Sequence, residues 1–327
     1  MARRRRSIET ALKQELPAGS GVLVALSGGR DSMVLLDSVL RAQGLLKVRV
    51  EALHVDHGLR PSSVDDARFV EEYCRERQVP CVVERLGPKP HSVNMEAWAR
   101  QQRYRLLREA LVGRALDWAL TAHNANDVAE TLVIKLLANK ELTTIERRDE
   151  RRRFLRPFLD ISRAQIDEYA ARFAVPYIDD PSNADVGMVR NRVRHSLMPL
   201  LERDFDPSAV WILAERARAV ASDCNALEAL AEREEQFLGA LTEADPAWLN
   251  RCAERLRCLP DALAWRVAQR LVYPLVGYEV GEKGSLEALK LLRGELDSLQ
   301  LKEGIEVFRD RFGLRVLPSR VGKSSRL

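Results

Sequence analysis

Residues 23–36 read LVALSGGRDSMVLL, and the middle of this segment combines hydroxyls, glycines and an acid. Gly28 and Gly29 allow a sharp backbone turn between a β-rich apolar run and a helix-like one, which exposes successive N–H groups. Because a helix N-terminus carries a partial positive charge, such a turn can cradle an anion. Ser27 and Ser32 add hydroxyl donors for phosphate oxygens. The segment therefore predicts a phosphate-binding loop.

The acid of this loop, Asp31, would repel a phosphate unless a cation lay between them, and Mg²⁺ prefers oxygen ligands. We therefore expect Mg²⁺ on Asp31 and a nucleotide held by Ser27, Gly28, Gly29, Arg30, Asp31 and Ser32. The alternative is a capped strand-to-helix turn without a ligand. The Walker pattern G-x-x-x-x-G-K-[ST] is absent, which argues against an ordinary P-loop ATPase.

The first 200 residues alternate between strand-like and helix-like patterns. Short β-rich runs occupy residues 22–26, 48–55, 81–86 and 118–122. Helical patterns lie near residues 32–42, 63–77, 94–111 and 126–137. This alternation predicts an α/β fold with a parallel sheet covered on both faces, in which ligands bind beyond the carboxyl ends of the strands.

The pattern changes twice further along the chain. Residues 139–153 are polar and rich in arginine, and we expect a flexible loop there. From about residue 205 the sequence is rich in Ala, Glu, Arg and Leu, and residues 304–317 alternate as a hairpin does. We therefore predict a catalytic α/β domain over residues 1–200 and a mainly helical domain over 205–327 that ends in a short hairpin.

Composition narrows the class of protein. With 46% apolar and 31% charged residues the chain has the composition of a globular protein, and no apolar run approaches the roughly 20 residues of a membrane span. Five cysteines without a C-x-x-C pair favour reduced thiols in a cytoplasmic protein, with no membrane partner. The sequence leaves the oligomeric state open, a homodimer being one option.

The net charge of +4 is modest, but arginines cluster at residues 3–6 and again between residues 147 and 156. Such clusters are either solvated segments or contacts with a polyanion, because clustered arginine binds phosphates well. Composition does not decide between these two interpretations.

The segment S-G-G-R-D-S at residues 27–32 resembles the PP-loop signature SGGxDS of the N-type ATP pyrophosphatases. Members of that superfamily cleave ATP between the α- and β-phosphates and adenylate a carbonyl oxygen. The resemblance implies a PP-loop, Rossmann-like domain and a reaction class, but it does not identify the substrate.

Five further motifs, in their order and spacing, are similar to those of the tRNA(Ile)-lysidine synthetase family: HVDHGLR (54–60), ARQQRYRLL (99–107), TAHNANDVAET (121–131), DPSN (180–183) and RNRVR (190–194). This resemblance implies ATP-dependent ligation of free L-lysine to the wobble cytidine of tRNA(Ile) with a CAU anticodon. Lysidine would form through an adenylated cytidine, and the helical domain would bind the tRNA.

The resemblance also assigns roles to residues. Asp31, His123 and Asp127 match catalytic positions, and Arg103, Asp127 and Glu130 match the residues that recognise lysine. Asp127 and Glu130 are three residues apart and so share one face of a helix. Taken alone, these acids would be an exposed helix start, His123 a structural histidine and Arg103 a surface residue.

The last motif supplies Arg190, Asn191 and Arg194, which we expect to contact tRNA or the second domain rather than to act in catalysis; simple salt bridges are the alternative. Two features depart from the family pattern. Asn124 stands where the family usually has a second histidine, and residues 135–144 lack the family's glycine-rich Arg-Gly-x-Gly segment.

Three other functions compete with lysidine formation. A PP-loop tRNA thiolase would normally use paired cysteines or an iron–sulfur cluster, which the cysteine spacings here do not suit. A small-molecule amidating synthetase fits the basic clusters poorly. A non-catalytic tRNA-binding paralogue would keep the nucleotide fold and explain the altered segment after Thr131.

Overall fold

A six-stranded sheet with the order β3-β2-β1-β4-β6-β5 organises the first part of the chain. The computed structural model describes residues 6–56, 58, 63–87, 95–138, 142–179, 187–239, 245–276, 280–301, 305–310 and 313–318. Its strands are β1 (Gly21–Ala25), β2 (Arg49–Asp56), β3 (Cys81–Arg85), β4 (Trp118–Leu120), β5 (Arg148–Asp149) and β6 (Phe154–Leu155). Within the described part of this sheet every pairing is parallel except that of β5 with β6.

Helices fill the connections between the strands. They are α1 (Ile8–Glu15), α2 (Arg30–Leu46), α3 (Ser63–Glu76), α4 (Met95–Gly113), α5 (Ala125–Leu137) and α6 (Arg163–Arg172). A 3-10 turn at Pro157–Asp160 precedes α6. Beyond α6 lie α7 (Val189–Arg192), a π-helical turn (Val193–Leu197) and α8 (Met198–Asp204). The predicted α/β fold with a mostly parallel sheet is confirmed.

The central strand β1 is buried on both faces because its side chains alternate between two cores. Val22 and Val24 pack into one core with α2, whereas Leu23 packs into the other with Leu107 and Leu111 of α4. A strand covered on both faces needs apolar residues at successive positions, and that is what residues 22–24 provide.

The strand order places a switch point beside β1. Its two neighbours are β2 on one side and β4 on the other, and both pairings are parallel. The chain leaves β1 and β4 at the same edge of the sheet, where ligands bind in open α/β sheets. The loop that precedes α2 and the segment that precedes α5 therefore lie side by side.

The predicted flexible loop at residues 139–153 is partly wrong. Arg148–Asp149 forms β5, which pairs antiparallel with β6. The guanidinium of Arg148 lies 4.3 Å from the ring centroid of Trp118, a stacking contact that a sequence pattern does not show. Residues 139–141 lie outside the described residues, as do 3–5, 57, 59–60 and the motif at 180–183.

The chain divides into two compact units, residues 1–218 and 219–327, and the division falls within the long helix α9 (Ala209–Leu238). The predicted domain boundary at residues 200–205 stays a prediction. The second unit also contains α10 (Pro246–Cys258), α11 (Asp261–Val276), α12 (Glu282–Arg293) and the strands β7 (Ser298–Gln300), β8 (Ile305–Asp310) and β9 (Gly313–Pro318). These strands form an antiparallel sheet in the order β7-β8-β9.

The second unit has its own apolar core, built from Trp248, Leu256, Val267, Leu292 and Val307 among others. The predicted hairpin stretch forms β8 and β9. The three-residue strand β7 is missed by the sequence analysis because only its central residue is buried. Within the described residues of the whole chain, no helix combines the length and the apolarity needed to cross a membrane.

Candidate active site

The loop between β1 and α2 is held by its own hydroxyls. The Oγ atoms of Ser27 and Ser32 lie 3.0 Å apart, and the Ser27 backbone N–H donates to Ser32 Oγ at 3.1 Å. Ser32 Oγ also donates to the Gly29 carbonyl at 2.9 Å. These contacts fix the turn, so the two serines shape the loop as well as offering hydroxyls to a ligand.

Gly28 is required by the path of this loop. Its φ of 84° lies in the left-handed region, and a Cβ at this position would lie 3.1 Å from Cδ1 of Ile178. The Ile178 backbone N–H donates to the Gly28 carbonyl at 2.9 Å, which fastens the segment after α6 onto the loop. The glycine therefore permits both the turn and the close approach.

The first turn of α2 offers backbone donors to an anion. Gly29 is the N-cap of α2 and supplies no side-chain cap, and the amides of residues 30–32 have no acceptor within the helix. The side chain of Arg30 turns away to Asp167, with Nη1 2.5 Å from Oδ1, and stacks on Tyr177. The loop thus presents the N-terminal amides of a helix with the helix dipole behind them, which suits a phosphate.

Asp31 fits the role of a cation ligand. Asn124 Nδ2 donates to its Oδ2 at 2.9 Å, and among the described residues Oδ1 has no hydrogen-bond partner. Burial raises the pKa of Asp31 to about 6, although the nearby charge of Arg163 opposes that rise. A carboxylate that has one oxygen unbonded among the described residues, beside a phosphate cradle, suits Mg²⁺, which commonly takes one or two carboxylates together with substrate phosphates.

Asn124 joins the loop to α5. It is fully buried and is the N-cap of α5: its Oδ1 accepts the Asp127 N–H at 3.1 Å, and its own N–H donates to Asp127 Oδ2 at 3.0 Å. The same side chain donates to Asp31 through its amide nitrogen. The residue that departs from the family pattern is therefore the link between the two halves of the site.

The predicted acidic pair lies on α5 and is buried, with Glu130 only 1% exposed. Arg190 contacts both acids: Nη2 lies 3.0 Å from Asp127 Oδ1, and Nε lies 3.1 Å from Glu130 Oε2. Arg194 does the same, with Nη2 3.0 Å from Asp127 Oδ1 and Nε 2.8 Å from Glu130 Oε1. Two of the three residues expected to contact tRNA thus lie against the acids expected to recognise lysine; their contact with tRNA stays a prediction.

These arginines control the charge of the acids. Burial alone would raise the pKa of Asp127, but the charge of Arg190 and the N–H of Asn124 lower it overall. Asn191, the third residue expected to contact tRNA, lies on the short helix α7 and is buried. A further cation missed by the sequence analysis is Arg163, whose Nη1 lies 3.9 Å from Glu130 Oε1. The only sequence signal for it is its position directly after the N-cap of α6.

His123 and Arg103 complete the predicted set. His123 Nδ1 lies 2.9 Å from Thr121 Oγ1, and burial lowers the pKa of His123 to about 3, so the imidazole is neutral at physiological pH. Burial also lowers the pKa of Arg103, as do the charges of Arg100 and Arg190. Among the described residues Arg103 has no acidic partner, so its guanidinium is available to an anionic group.

Several arginines of the cluster at residues 147–156 make contacts within the fold. Arg147 bridges two acids, with Nη1 3.0 Å from Glu15 Oε1 and Nη2 2.7 Å from Asp160 Oδ2. Arg156 is buried and donates to the Glu146 carbonyl, and Arg153 donates to a carbonyl at 3.2 Å. Contact of this cluster with tRNA stays a prediction.

The described part of the segment after Thr131 begins as a helix and is irregular over residues 142–147. Helix α5 continues to Leu137, and the side chains of Leu142 and Ile145 pack against the core formed by α5 and its neighbours. Lys135 Nζ donates to Thr143 Oγ1 across the gap in the described residues. The described part of this segment is thus anchored by apolar packing.

Comparison with known proteins agrees with this architecture. A family model described as the PP-loop domain matches residues 2–201. Among solved structures, the U34-tRNA thiolase NcsA from Methanococcus maripaludis has a TM-score of 0.58 at 16% identity, covering 66% of this chain and 78% of that one. At this identity the likeness shows a shared fold only. Fold and loop together define a PP-loop protein.

Sequence relatives narrow the class further. The tRNA(Ile)-lysidine synthase of Thermosynechococcus vestitus is 35% identical over 80% of this chain and 76% of its own length. The tRNA(Ile)-lysidine synthase of Thermobifida fusca is 34% identical over 82% of this chain and 81% of its own length. The chain belongs to the tRNA(Ile)-lysidine synthase family. It spans about half the length of other curated relatives, such as the Thermotoga sp. synthase, where a 37% identical match covers 48% of the relative.

Proposed function

We propose that this chain uses ATP to join free L-lysine to the wobble cytidine of tRNA(Ile) with a CAU anticodon, forming lysidine. One observation carries the proposal: the hydrogen bond from Asn124 to Asp31 places the PP-loop beside the buried acids of α5. A phosphate cradle and a site for an ammonium group therefore share one edge of the sheet, as an ATP-driven ligation of an amine requires.

The first half-reaction activates the base. The cytosine 2-carbonyl oxygen attacks the α-phosphorus of ATP, the bond to the β-phosphate oxygen breaks, and pyrophosphate leaves. The amides of residues 30–32 and the hydroxyls of Ser27 and Ser32 would hold the phosphates. Mg²⁺ on Asp31, when bound, would offset the charge that develops on the departing pyrophosphate.

The second half-reaction transfers the amine. The lysine ε-ammonium first loses a proton to solvent. The neutral amine then attacks C2 of the adenylated cytidine, the bond from C2 to the adenylate oxygen breaks, and AMP leaves. Asp127 and Glu130 would bind the ε-amino group before attack. Because the pKa of Asp127 is lowered, we assign this carboxylate to holding the ammonium rather than to removing its proton. Arg103, a cation without an acidic partner among the described residues, would pair with the lysine carboxylate.

The second unit, residues 219–327, would contribute to tRNA binding. The thiolase alternative gains no support within the described residues, where no three His, Cys, Asp or Glu side chains are grouped to hold a metal. The non-catalytic paralogue is a further competitor. It would bind nucleotide and tRNA without transferring lysine.

Radiolabelled lysine, ATP and a tRNA(Ile) transcript with a CAU anticodon distinguish these functions. We expect label in the tRNA, and pyrophosphate release over many turnovers that depends on both tRNA and lysine. Asp31→Asn should abolish both signals while leaving tRNA binding intact. The matched variant Asp167→Asn, at an acid that pairs with the Arg30 side chain, should keep tRNA labelling. If the folded protein binds tRNA but no labelled lysine is transferred to it, the lysidine proposal is refuted and the non-catalytic paralogue is favoured.

A further inference from the structure

Asn124 makes contacts that its helix-capping role does not need. An N-cap requires only a side-chain acceptor, and serine or threonine provides one as well as asparagine does. In this chain Oδ1 of Asn124 performs the capping, and its Nδ2 is free for a second task. That nitrogen donates to Asp31, a residue 93 positions earlier in the chain, at 2.9 Å.

The contact constrains Asp31 in a specific way. Among the described residues, Asn124 is the one hydrogen-bond donor to the Asp31 carboxylate. Because the amide holds Oδ2, rotation of the carboxyl group is restricted and Oδ1 keeps a fixed direction. Asn124 itself cannot move readily, since it is fully buried and its backbone and side chain both bond to Asp127.

We propose that Asn124 is a positioning residue for the divalent cation: it orients Asp31 so that Oδ1 faces the metal that accompanies the nucleotide. The inference rests on the proposed use of ATP with Mg²⁺. It further implies that the geometry of the cation site and the first turn of α5 depend on each other, because one side chain sets both.

The test measures cation binding without turnover. Free Mn²⁺ is followed by electron paramagnetic resonance as the full chain is titrated in the presence of α,β-methylene ATP, an analogue that cannot be cleaved at the bond in question. Asn124→Ser keeps a cap acceptor and removes the donor. We expect Mn²⁺ to bind about ten- to a hundredfold more weakly to this variant, the usual effect of removing a group that orients a metal ligand.

Two further variants separate positioning from capping. Asn124→His supplies an N–H donor again and should recover most of the Mn²⁺ affinity. Ser162→Ala removes the cap of α6, which forms an equivalent capping box with Gln165 and makes no hydrogen bond to Asp31. It should lower the melting temperature and leave Mn²⁺ affinity unchanged. If Asn124→Ser is not folded at the assay temperature, Asn124→Thr, which fills more of the buried space, takes its place.

The outcomes are distinct. Unchanged Mn²⁺ affinity in the folded Ser or Thr variant would overturn the inference, and so would failure of the wild type to bind Mn²⁺ with the analogue. A wild type that binds both but never labels tRNA would refute the proposed function and leave the positioning role of Asn124 intact.

Discussion

Replacing Arg194 by methionine tests the buried ionic cluster on α5. Arg194 donates to Glu130 Oε1 at 2.8 Å, to Glu130 Oε2 at 2.9 Å and to Asp127 Oδ1 at 3.0 Å. Methionine keeps most of the apolar volume but leaves the two carboxylates with Arg190 as their main counter-charge. Removing one partner of a buried ion pair costs about 3–5 kcal/mol, and we expect about 3 because Arg190 still bonds to both acids.

Thermal unfolding of the full chain measures this loss. A unit of the size of residues 1–218 loses about 2–4 °C per kcal/mol, so the melting temperature should fall by about 6–12 °C. Arg203→Met is the matched control, since Arg203 forms an exposed pair with the adjacent Asp204 on α8 and should leave the melting temperature unchanged. The double variant Glu130→Gln/Arg194→Met should be more stable than the sum of its single variants predicts. An unaltered melting temperature in Arg194→Met would refute the buried cluster.

The same variant bears on lysine recognition. In the wild type every carboxylate oxygen of Asp127 and Glu130 accepts a hydrogen bond, so a lysine ammonium has to compete with guanidinium groups. Without Arg194 the two carboxylates lack part of their positive counter-charge, and the ammonium group of a bound lysine can supply it. Millimolar lysine should therefore raise the melting temperature of Arg194→Met more than that of the wild type. Equal shifts would contradict the assignment of this pair to the lysine ammonium.

Three further predictions concern single residues. Gly28→Ala should destabilise the chain by about 1–2 kcal/mol, because the φ of Gly28 is 84° and the new Cβ would lie 3.1 Å from Ile178 Cδ1. In the same melting assay the control Gly44→Ala, in open space on α2, should be stabilising. The pKa of Asp31 is raised from 3.8 to about 6, so this group lowers the stability of the ligand-free fold as pH rises from about 4 to 6, and the loss is constant above pH 6. Mn²⁺ affinity should fall as pH drops below 6, because the carboxylate is then protonated. Binding of Mn²⁺ that does not change with pH would contradict this. Arg103→Ala should raise the KM for lysine about tenfold or more, because it removes the charge-assisted pairing with the lysine carboxylate, and it should leave Mn²⁺ affinity intact. The control Arg105→Ala should leave the KM unchanged, since Arg105 is an exposed residue of the same helix that pairs with Glu109.

The elements that sequence patterns predict well are those determined locally. The strand at residues 22–26 and the loop after it are encoded by an apolar run, two glycines and flanking hydroxyls, all within a few positions. The structure reproduces them, with Gly28 in the left-handed conformation. The strand β5 was missed because two residues in an arginine-rich segment carry no periodic signal, and their pairing depends on β6 being in place.

The contacts that complete the site are the ones that a sequence does not reveal. Glu130 and Arg194 are 64 positions apart, and Asp31 and Asn124 are 93 apart. Asp31 meets Asn124 because the sheet brings the ends of β1 and β4 together, and Arg194 meets Glu130 because the π-helical turn at Val193–Leu197 packs beside α5. A family resemblance identifies such residues individually, but whether an arginine meets a phosphate or a buried acid depends on the tertiary packing.

The arginines of this chain illustrate that dependence. Clustering at residues 147–156 is compatible with a solvated segment or with a polyanion contact, and in the structure Arg147 and Arg156 make contacts within the fold. The site residues show a different balance. Asp31, Asp127 and Glu130 lie near the guanidinium groups of Arg163, Arg190 and Arg194, Arg103 lies near Arg190, and His123 is neutral because burial lowers its pKa. With ionised acids these groups carry one excess positive charge before any ligand binds. An anionic nucleotide would compensate that excess, and free lysine, itself a cation at neutral pH, would increase it. Under the proposed function we therefore expect the nucleotide to bind before the amino acid.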